Sequence, residues 1–213
     1  MIDTIEQHVA LPKEDDVKVR EAVSRPAPQH FRHFFRGWLR DPRSMGAVAP
    51  SGRALARLMA SGVTSTATVL ELGAGTGSLT EALLAKGVQP ANLYLVERDP
   101  ELAAVLRKRF VGCHVFAADA LALNRELPPG LTYDFVISGL PLLLFSPEQR
   151  FELLGQILTL LRPNGCYQQF TYGGRCPIDR ETRRKLNVDS ALLGIAALNL
   201  PPAFVYRLTR AAG

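Results

Sequence analysis

The sequence predicts an α/β protein with a mostly parallel, seven-stranded sheet that is flanked by helices and ends in an antiparallel C-terminal hairpin. Short apolar runs alternate with helical segments from Thr68 onward, as in a parallel sheet with crossover helices. A glycine-rich turn over 73–77 follows the first apolar run directly. Two later apolar runs, near 192–199 and 204–210, lie close enough in the chain to pair as a hairpin.

The elements of the first half are bounded by residues that start or stop them. A basic helix over 31–40 is stopped by Asp41-Pro42. Ser51 and Asp99 stand at N-cap positions of the next helices. Those helices are predicted at 51–59, 79–86 and 100–110, and the strands between them at 68–72, 92–96 and 114–117.

The second half continues the alternation. A strand over 133–138 precedes a helix over 147–161, and the turn Arg162–Gly165 leads into a strand over 166–172. A short basic helix over 180–186 then precedes the predicted hairpin.

Composition limits the class of protein. A length of 213 residues, with 47% hydrophobic and 21% charged residues, suits a globular protein with one large core. The three cysteines are scattered without metal-ligand spacing, so we expect no metal and a reducing compartment. No segment has the length and apolar character of a membrane span or the pattern of a secretory signal. We therefore expect a cytoplasmic location.

Positive charge is concentrated in one region. The formal net charge is +5, and seven arginines face a single acid, Asp41, between Arg25 and Arg57. The basic character therefore belongs to one surface and suits an anionic partner.

The glycine turn marks a ligand site. Glycines recur at every second position, at Gly73, Gly75 and Gly77, between a buried strand and a helix N-terminus. The spacing is not that of the dinucleotide fingerprint, whose third glycine comes one residue later, and the lysine of a P-loop is missing. In open α/β sheets ligands bind at the carboxyl ends of strands, and here those ends also carry Glu97, Asp119 and Ser138-Gly139.

The glycine turn resembles the first motif of class I S-adenosylmethionine-dependent methyltransferases, which have a Rossmann-like fold. The resemblance implies S-adenosylmethionine as cofactor and S-adenosylhomocysteine as product. Glu71 would orient the loop and attract the methionine ammonium, Glu97 would bind the ribose, and Asp119 the adenine amine. The implied cofactor-binding residues are Glu71, Gly73, Ala74, Gly75, Gly77, Glu97, Arg98, Asp119, Ala120, Ser138 and Gly139.

The segment after the fourth strand bears on the acceptor. Enzymes that methylate the amino group of adenine carry Asn/Asp/Ser-x-Pro-aromatic at this position, and the aromatic ring stacks on a flipped base. Here an extra residue precedes Pro141, and Leu142 stands where the aromatic is expected. This departure counts against a nucleobase acceptor.

The same segment resembles bacterial phospholipid N-methyltransferases of the soluble, membrane-associating type. The matching pieces are Gly46–Ser51, Glu71–Gly77, Ser138–Leu143, Gln169–Gly173 with Pro177, and Asn199–Ala203. The family implies successive methylation of phosphatidylethanolamine toward phosphatidylcholine. One departure is Gly174, which stands where the family has proline.

The resemblance suggests roles on the acceptor side. Tyr172 and Ser138 are the candidate catalytic residues, with Tyr172 hydrogen-bonding the amine or facing the growing cation. Leu140 and Pro141 would border the substrate. Arg180, Arg183 and Arg184 are candidates for holding the lipid phosphate, and a solvated basic helix explains them equally well.

The helix over 31–40 is amphipathic. Its aromatics recur at i, i+3, i+4 and i+7 opposite arginines, a pattern suited to an anionic bilayer surface. Packing on the sheet and contact with RNA are the alternatives. The candidate membrane residues are Phe31, Phe34, Phe35, Arg36, Trp38 and Arg40.

We thus expect a helical, membrane-facing segment over 1–60 and a cofactor-binding methyltransferase domain over 61–213. The expected partners are an anionic membrane surface and a phospholipid, with no DNA, with RNA disfavoured and with a monomer in solution. The expected location is the inner face of the cell membrane. An rRNA adenine dimethyltransferase, an ornithine-lipid methyltransferase and a non-catalytic membrane-binding protein remain alternatives, and the number of methyl groups stays open.

Overall fold

The structure is a computed structural model, and it describes residues 50–199 and 201–211. The predicted helix over 31–40, with Phe31, Phe34, Phe35, Arg36, Trp38 and Arg40, lies outside the described residues. Most of the Gly46–Ser51 motif and Leu200 also lie outside them. Within the described ranges, no helix combines the length and the apolar character needed to cross a membrane.

Helices and strands alternate along the described chain. The helices are α1 (Pro50–Met59), α2 (Ser78–Ala85), α3 (Pro100–Arg109), α4 (Leu123–Glu126), α5 (Pro147–Leu160) and α6 (Arg180–Lys185). The strands are β1 (Val69–Leu72), β2 (Leu93–Glu97), β3 (His114–Ala117), β4 (Tyr133–Ser138), β5 (Leu161–Thr171), β6 (Val188–Ala196) and β7 (Ala203–Arg210).

The seven strands form one sheet in the order β3-β2-β1-β4-β5-β7-β6. The strands from β3 to β5 pair in parallel, whereas β7 runs antiparallel to both β5 and β6. The predicted fold, a Rossmann-like methyltransferase sheet with an antiparallel C-terminal hairpin, is confirmed. The chain leaves β1 toward β2 on one side and returns to β4 on the other. This reversal opens a crevice at the carboxyl ends of β1 and β4.

Two apolar layers cover the two faces of the sheet. Side chains such as Leu70 and Val136 point to one face, where they pack with Leu153 of α5. Their neighbours Val69 and Ile137 point to the other face, which α1, α2 and α3 cover. Burial on both faces explains why these strands read as continuous apolar runs rather than as alternating ones.

Three boundaries differ from the sequence-based expectation. Ser51 lies within the helix Pro50–Met59 rather than at its N-cap. Strand β5 begins at Leu161 and includes the predicted turn 162–165, at a shift in its register with β4. Strand β6 begins earlier than expected, at Val188, and ends at Ala196.

The junction between the glycine loop and α3 supports a test of packing. Gly77 has φ +85°, and a Cβ there would fall on the Phe110 ring, well inside contact distance. Gly77→Ala is expected to lower the free energy of unfolding by about 3 kcal/mol, because left-handed strain and a steric clash add.

Gly130→Ala is the matched control. Gly130 has nearly the same φ, +82°, but no heavy atom of the described residues lies within 4 Å of its Cβ position. The expected loss there is about 1 kcal/mol, from backbone strain alone. Equal losses in urea denaturation for the two variants would contradict a packing role for Gly77.

Candidate active site

The glycine loop folds back on the end of β2. Gly73, Gly75 and Gly77 all have positive φ, between 55° and 85°, a region that glycine adopts without steric cost. The N–H groups of Gly73 and Ala74 both donate to the Val96 carbonyl, at 2.8 and 3.1 Å. The end of β2 therefore uses the N–H groups of these two residues.

Glu97 lies against the same loop. Its Oε2 accepts the Gly75 N–H at 2.8 Å, and its Oε1 accepts the Asp99 N–H at 2.9 Å. Each carboxylate oxygen retains a further lone pair, so the group is oriented and still able to accept hydroxyl protons. The neighbouring Arg98 is exposed.

Asp119 follows β3 beside Glu97. Its Oδ1 accepts the Leu121 N–H at 2.9 Å and so caps the turn that begins at Ala120. The preceding Ala118 donates its N–H to the Glu97 carbonyl, at 3.1 Å. Ala118 and Ala120 are buried small residues, which leave space beside the Asp119 carboxylate.

Glu71 lies beneath the loop. Its side chain is buried, and Oε2 accepts the Thr80 hydroxyl proton at 2.7 Å. Burial raises the pKa of Glu71 to about 8; the charge of Glu97 also raises it, and the Thr80 hydrogen bond opposes the shift. A neutral carboxyl is therefore favoured near pH 7 until a positive group arrives to stabilise the ionised form.

The backbone at the end of β1 contacts the backbone at the end of β4, with no side chain between them. The Gly139 N–H donates to the Leu72 carbonyl at 2.8 Å. A Cβ at Gly139 would lie 2.9 Å from the Gly73 carbonyl oxygen, so a side chain there would push the glycine loop away. The Ser138 hydroxyl is fully buried and accepts the Leu140 N–H at 3.1 Å.

A shallow pocket opens beside this junction. Leu142, at the position expected to hold an aromatic ring, is only 2% exposed and packs in the core, so it cannot act as a stacking platform. The walls are apolar except for Thr171 and Tyr172. The lining residues are Leu140, Pro141, Leu142, Leu143, Phe170, Thr171, Tyr172 and Pro177.

Tyr172 is the titratable side chain in this lining. Its ring packs edge-on against Phe170, with centroids 5.3 Å apart. Burial raises the pKa of its hydroxyl, and a hydrogen bond with the Asn199 side chain opposes part of that shift. The hydroxyl therefore stays protonated at neutral pH. Asn199 is itself 7% exposed, and its Oδ1 is buried without a hydrogen-bond partner among residues 50–199 and 201–211.

The three candidate phosphate-binding arginines have different surroundings in the structure. Arg183 donates to the Ile178 carbonyl at 3.2 Å and to the Ser190 hydroxyl, so it fixes α6 against β6. Arg180 and Arg184 are exposed. Of the three, Arg183 thus has a structural role in addition to any contact with substrate.

These observations fit S-adenosylmethionine. An oriented carboxylate at Glu97, a second at Asp119, and close-packed backbone at Gly73 and Gly139 lie along one crevice. A Cβ at Gly73 would collide with the Leu140 side chain, and a Cβ at Gly139 with the Gly73 carbonyl, so a side chain at either position would displace the cofactor loop. In the described part of the chain, no three His, Cys, Asp or Glu side chains group as a metal site.

Fold and site together define a class I S-adenosylmethionine-dependent methyltransferase domain. The family described as a methyltransferase domain matches residues 69–165, which run from β1 into β5. The predictions of a methyltransferase and of S-adenosylmethionine as its cofactor are confirmed.

Particular relatives match over different extents. The chain is 29% identical to an ornithine lipid N-methyltransferase of Singulisphaera acidiphila, over 81% of this chain and 92% of that protein. It is 34% identical to a ribosomal RNA small subunit methyltransferase A of Synechococcus, over 63% of this chain. The chain spans only 49% of the length of that second relative.

A solved structure shares the fold. The 1,6-didemethyltoxoflavin-N1-methyltransferase of Burkholderia thailandensis, with bound S-adenosylhomocysteine, superposes with a TM-score of 0.63 at 18% identity. The match covers 99% of each chain.

Proposed function

We propose that this methyltransferase acts on the amine of a phospholipid headgroup, converting phosphatidylethanolamine and its mono- and dimethyl forms toward phosphatidylcholine at a membrane surface. The observation that carries the proposal is the acceptor pocket. Its walls are apolar, and the residue in the place of a base-stacking ring, Leu142, is buried in the core. A pocket of this kind suits an aliphatic amine better than a nucleobase.

Exposed leucines near the pocket support a membrane partner. Leu143 and Leu144 are 42% and 38% exposed, and Leu143 itself lines the pocket. Leu198 is 77% exposed and precedes Asn199, which bonds the pocket tyrosine. Apolar side chains near the entrance could enter the headgroup region, while exposed arginines such as Arg175 and Arg180 face lipid phosphates. The inner face of the cell membrane is the proposed location.

Methyl transfer to such an amine requires a neutral nucleophile. S-adenosylmethionine supplies a methyl group activated on a sulfonium. As the amine nitrogen forms its bond to that carbon, the carbon–sulfur bond breaks. The mono- and dimethylammonium products then lose a proton to water, whereas the quaternary product of the third transfer has no proton on nitrogen to lose. Tyr172 contributes a hydroxyl that orients the amine, and the apolar walls favour the uncharged amine over the hydrated ammonium.

An ornithine-type lipid is the second candidate acceptor. It is favoured by the similarity to the Singulisphaera ornithine lipid N-methyltransferase, which extends over 92% of that protein. Both candidates present a primary amine on a lipid, so the same pocket chemistry serves either one.

The test follows radiolabel from S-adenosylmethionine into separate acceptors. Purified full chain is incubated with anionic phosphatidylglycerol vesicles that contain phosphatidylethanolamine, ornithine lipid or neither, and in parallel with ribosomal RNA. Label in phosphatidylethanolamine is expected. Label in ornithine lipid alone would move the assignment to the second candidate, and label in RNA alone would overturn both.

Two tyrosine variants accompany that assay. Tyr172→Phe is expected to lower kcat on lipid about tenfold, since one hydrogen bond to the amine is lost, with cofactor affinity unchanged. Tyr133→Phe is the control because the Tyr133 hydroxyl, at the opposite end of β4, is buried with no hydrogen-bond partner in the described part of the chain. Equal activity in the two variants would remove Tyr172 from the mechanism.

A further inference from the structure

A buried hydrogen-bond network lies directly behind the acceptor pocket. Gln169 and Tyr167 sit two residues apart on β5, so their side chains point to the same face of the sheet. Both are fully or almost fully buried. Neither residue was assigned a role from the sequence, although Gln169 opens one of the motifs quoted there.

Every polar group of the Gln169 amide is used. Its Oε1 accepts the Tyr167 hydroxyl proton at 2.6 Å. Its Nε2 donates to the Leu140 carbonyl at 3.0 Å and to the Phe170 carbonyl at 2.8 Å. Because the Leu140 and Phe170 carbonyls can only accept, the amide must face them with its nitrogen, and its oxygen is left to accept from Tyr167. A buried amide is costly unless it is satisfied in this way.

The network holds Leu140 at both of its backbone groups. Gln169 binds the Leu140 carbonyl, and Ser138 accepts the Leu140 N–H at 3.1 Å. Burial raises the pKa of the Tyr167 hydroxyl, and the Ser138 side chain opposes part of that shift, so Ser138 belongs to the same buried cluster. Ser138, one of the candidate catalytic residues, therefore faces the interior, where its hydroxyl serves the loop.

Leu140 lies between the two halves of the active site. Its side chain lines the acceptor pocket. On its other side, its Cδ2 is 2.8 Å from the position of a Cβ on Gly73 in the cofactor loop. The placement of Leu140 thus sets the separation between donor and acceptor, and in-line displacement is sensitive to shifts of about 1 Å.

We propose that Gln169 is a positioning residue for methyl transfer, which acts by clamping the Leu140 carbonyl with its Nε2 while Tyr167 binds its Oε1. The clamp also turns the polar groups of the 138–141 loop inward, which leaves the pocket wall apolar. The inference rests on the proposed acceptor pocket but not on the identity of the lipid.

Gln168 provides a matched control for the test. It is the preceding residue on β5, is equally buried, and donates its Nε2 to the Ser61 carbonyl at 3.1 Å, on the other side of the sheet from the clamp. Gln168→Leu and Gln169→Leu each remove one buried amide from the same strand. Gln168 donates one hydrogen bond, and its Oε1 has no partner among the described residues, so this variant controls for removal of a buried amide without touching Leu140.

The first measurement is independent of any acceptor. Hydrogen exchange in peptides over 138–144 is expected to accelerate in Gln169→Leu and to stay unchanged in Gln168→Leu, with the 69–77 peptides protected in both. Equal exchange at 138–144 in the two variants would overturn the clamp, whether or not the lipid assignment holds.

The second measurement separates kcat from binding on whichever acceptor the wild type methylates. Gln169→Leu is expected to lower kcat roughly tenfold to a hundredfold, with the Kd for S-adenosylmethionine within about twofold of wild type. Gln169→Glu should retain most activity at about pH 6.5, where a protonated buried carboxyl can still donate to Leu140, and lose it toward about pH 9, relative to wild type at each pH. A loss confined to cofactor affinity, or a flat pH ratio, would contradict the positioning role.

Discussion

Gly139→Ala is expected to abolish most methyl transfer, with kcat/KM falling roughly a hundredfold. The added Cβ would lie 2.9 Å from the Gly73 carbonyl oxygen, and both partners are backbone, so the contact cannot be relieved by rotating a side chain. The strand ends must separate, and the cofactor loop moves with them. Calorimetry should show weakened binding of S-adenosylmethionine before any effect on the acceptor is considered.

The control for this prediction lies in α5. Gly155 has no heavy atom within 4 Å of its Cβ position and occupies a helix interior. Gly155→Ala is expected to keep wild-type activity and to gain up to about 1 kcal/mol of stability, since alanine favours the helix. Normal cofactor binding by Gly139→Ala would show that the two strand ends can part without cost, contrary to the packing described.

Glu71→Gln is expected to stabilise the cofactor-free protein at alkaline pH and to leave it nearly unchanged in acid. The pKa of Glu71 is about 8 in the folded state against a usual value of 4.5. From pH 4.5 to about 8 the unfolded chain has released this proton while the folded protein retains it, so wild-type stability falls as pH rises. Glutamine keeps the shape of the side chain and removes the titration.

The expected difference is large enough for thermal melts. At about pH 9 the variant should melt on the order of 5–10 °C above wild type, and at about pH 5 the two should nearly coincide. Glu126→Gln, at an exposed position of α4, should show no such pH-dependent gain. If the melting temperatures of wild type and Glu71→Gln differed by the same amount at both pH values, Glu71 would not be a buried, neutral carboxyl.

Cofactor affinity should fall in the same variant. Glu71→Gln should bind S-adenosylmethionine at least about tenfold more weakly, since a neutral amide replaces the carboxylate that would attract the positive charge of the ligand.

The strands and helices of the sheet could be predicted from the sequence because they depend on local residue patterns. Asp99 was expected to cap α3, and its Oδ1 does accept the Glu101 and Leu102 N–H groups. The strand ends at Glu97 and Ser138 follow from apolar runs that stop at polar residues. By contrast, Pro163-Asn164-Gly165 is typical of a turn, and it lies within β5 because Leu161 and Cys166, on either side of it, both pair with β4.

The candidate site could be predicted from the sequence only in part, because many of its contacts depend on the register between strands. Gln169 is level with Ser138 across β4 and β5, a pairing that no local pattern specifies. The clamp on Leu140 needs that register, and so it was missed. The contact between Tyr172 and Asn199 was missed for a similar reason, since it joins residues 27 positions apart through the β6–β7 connection. A buried amide in an apolar strand was the signal that could have suggested Gln169.

The position of β7 has a consequence for synthesis of the chain. Because β7 lies between β5 and β6, the earlier strand β6 reaches the sheet only through a strand that is made after it. Until residues 203–210 leave the ribosome, β5 presents an unpaired edge, and β6 has no neighbour to receive it. Open edges of this kind invite pairing between nascent chains. Strand β7 therefore completes the sheet late in synthesis. The pocket beside β5 can take its final shape only once β7 has paired with β5.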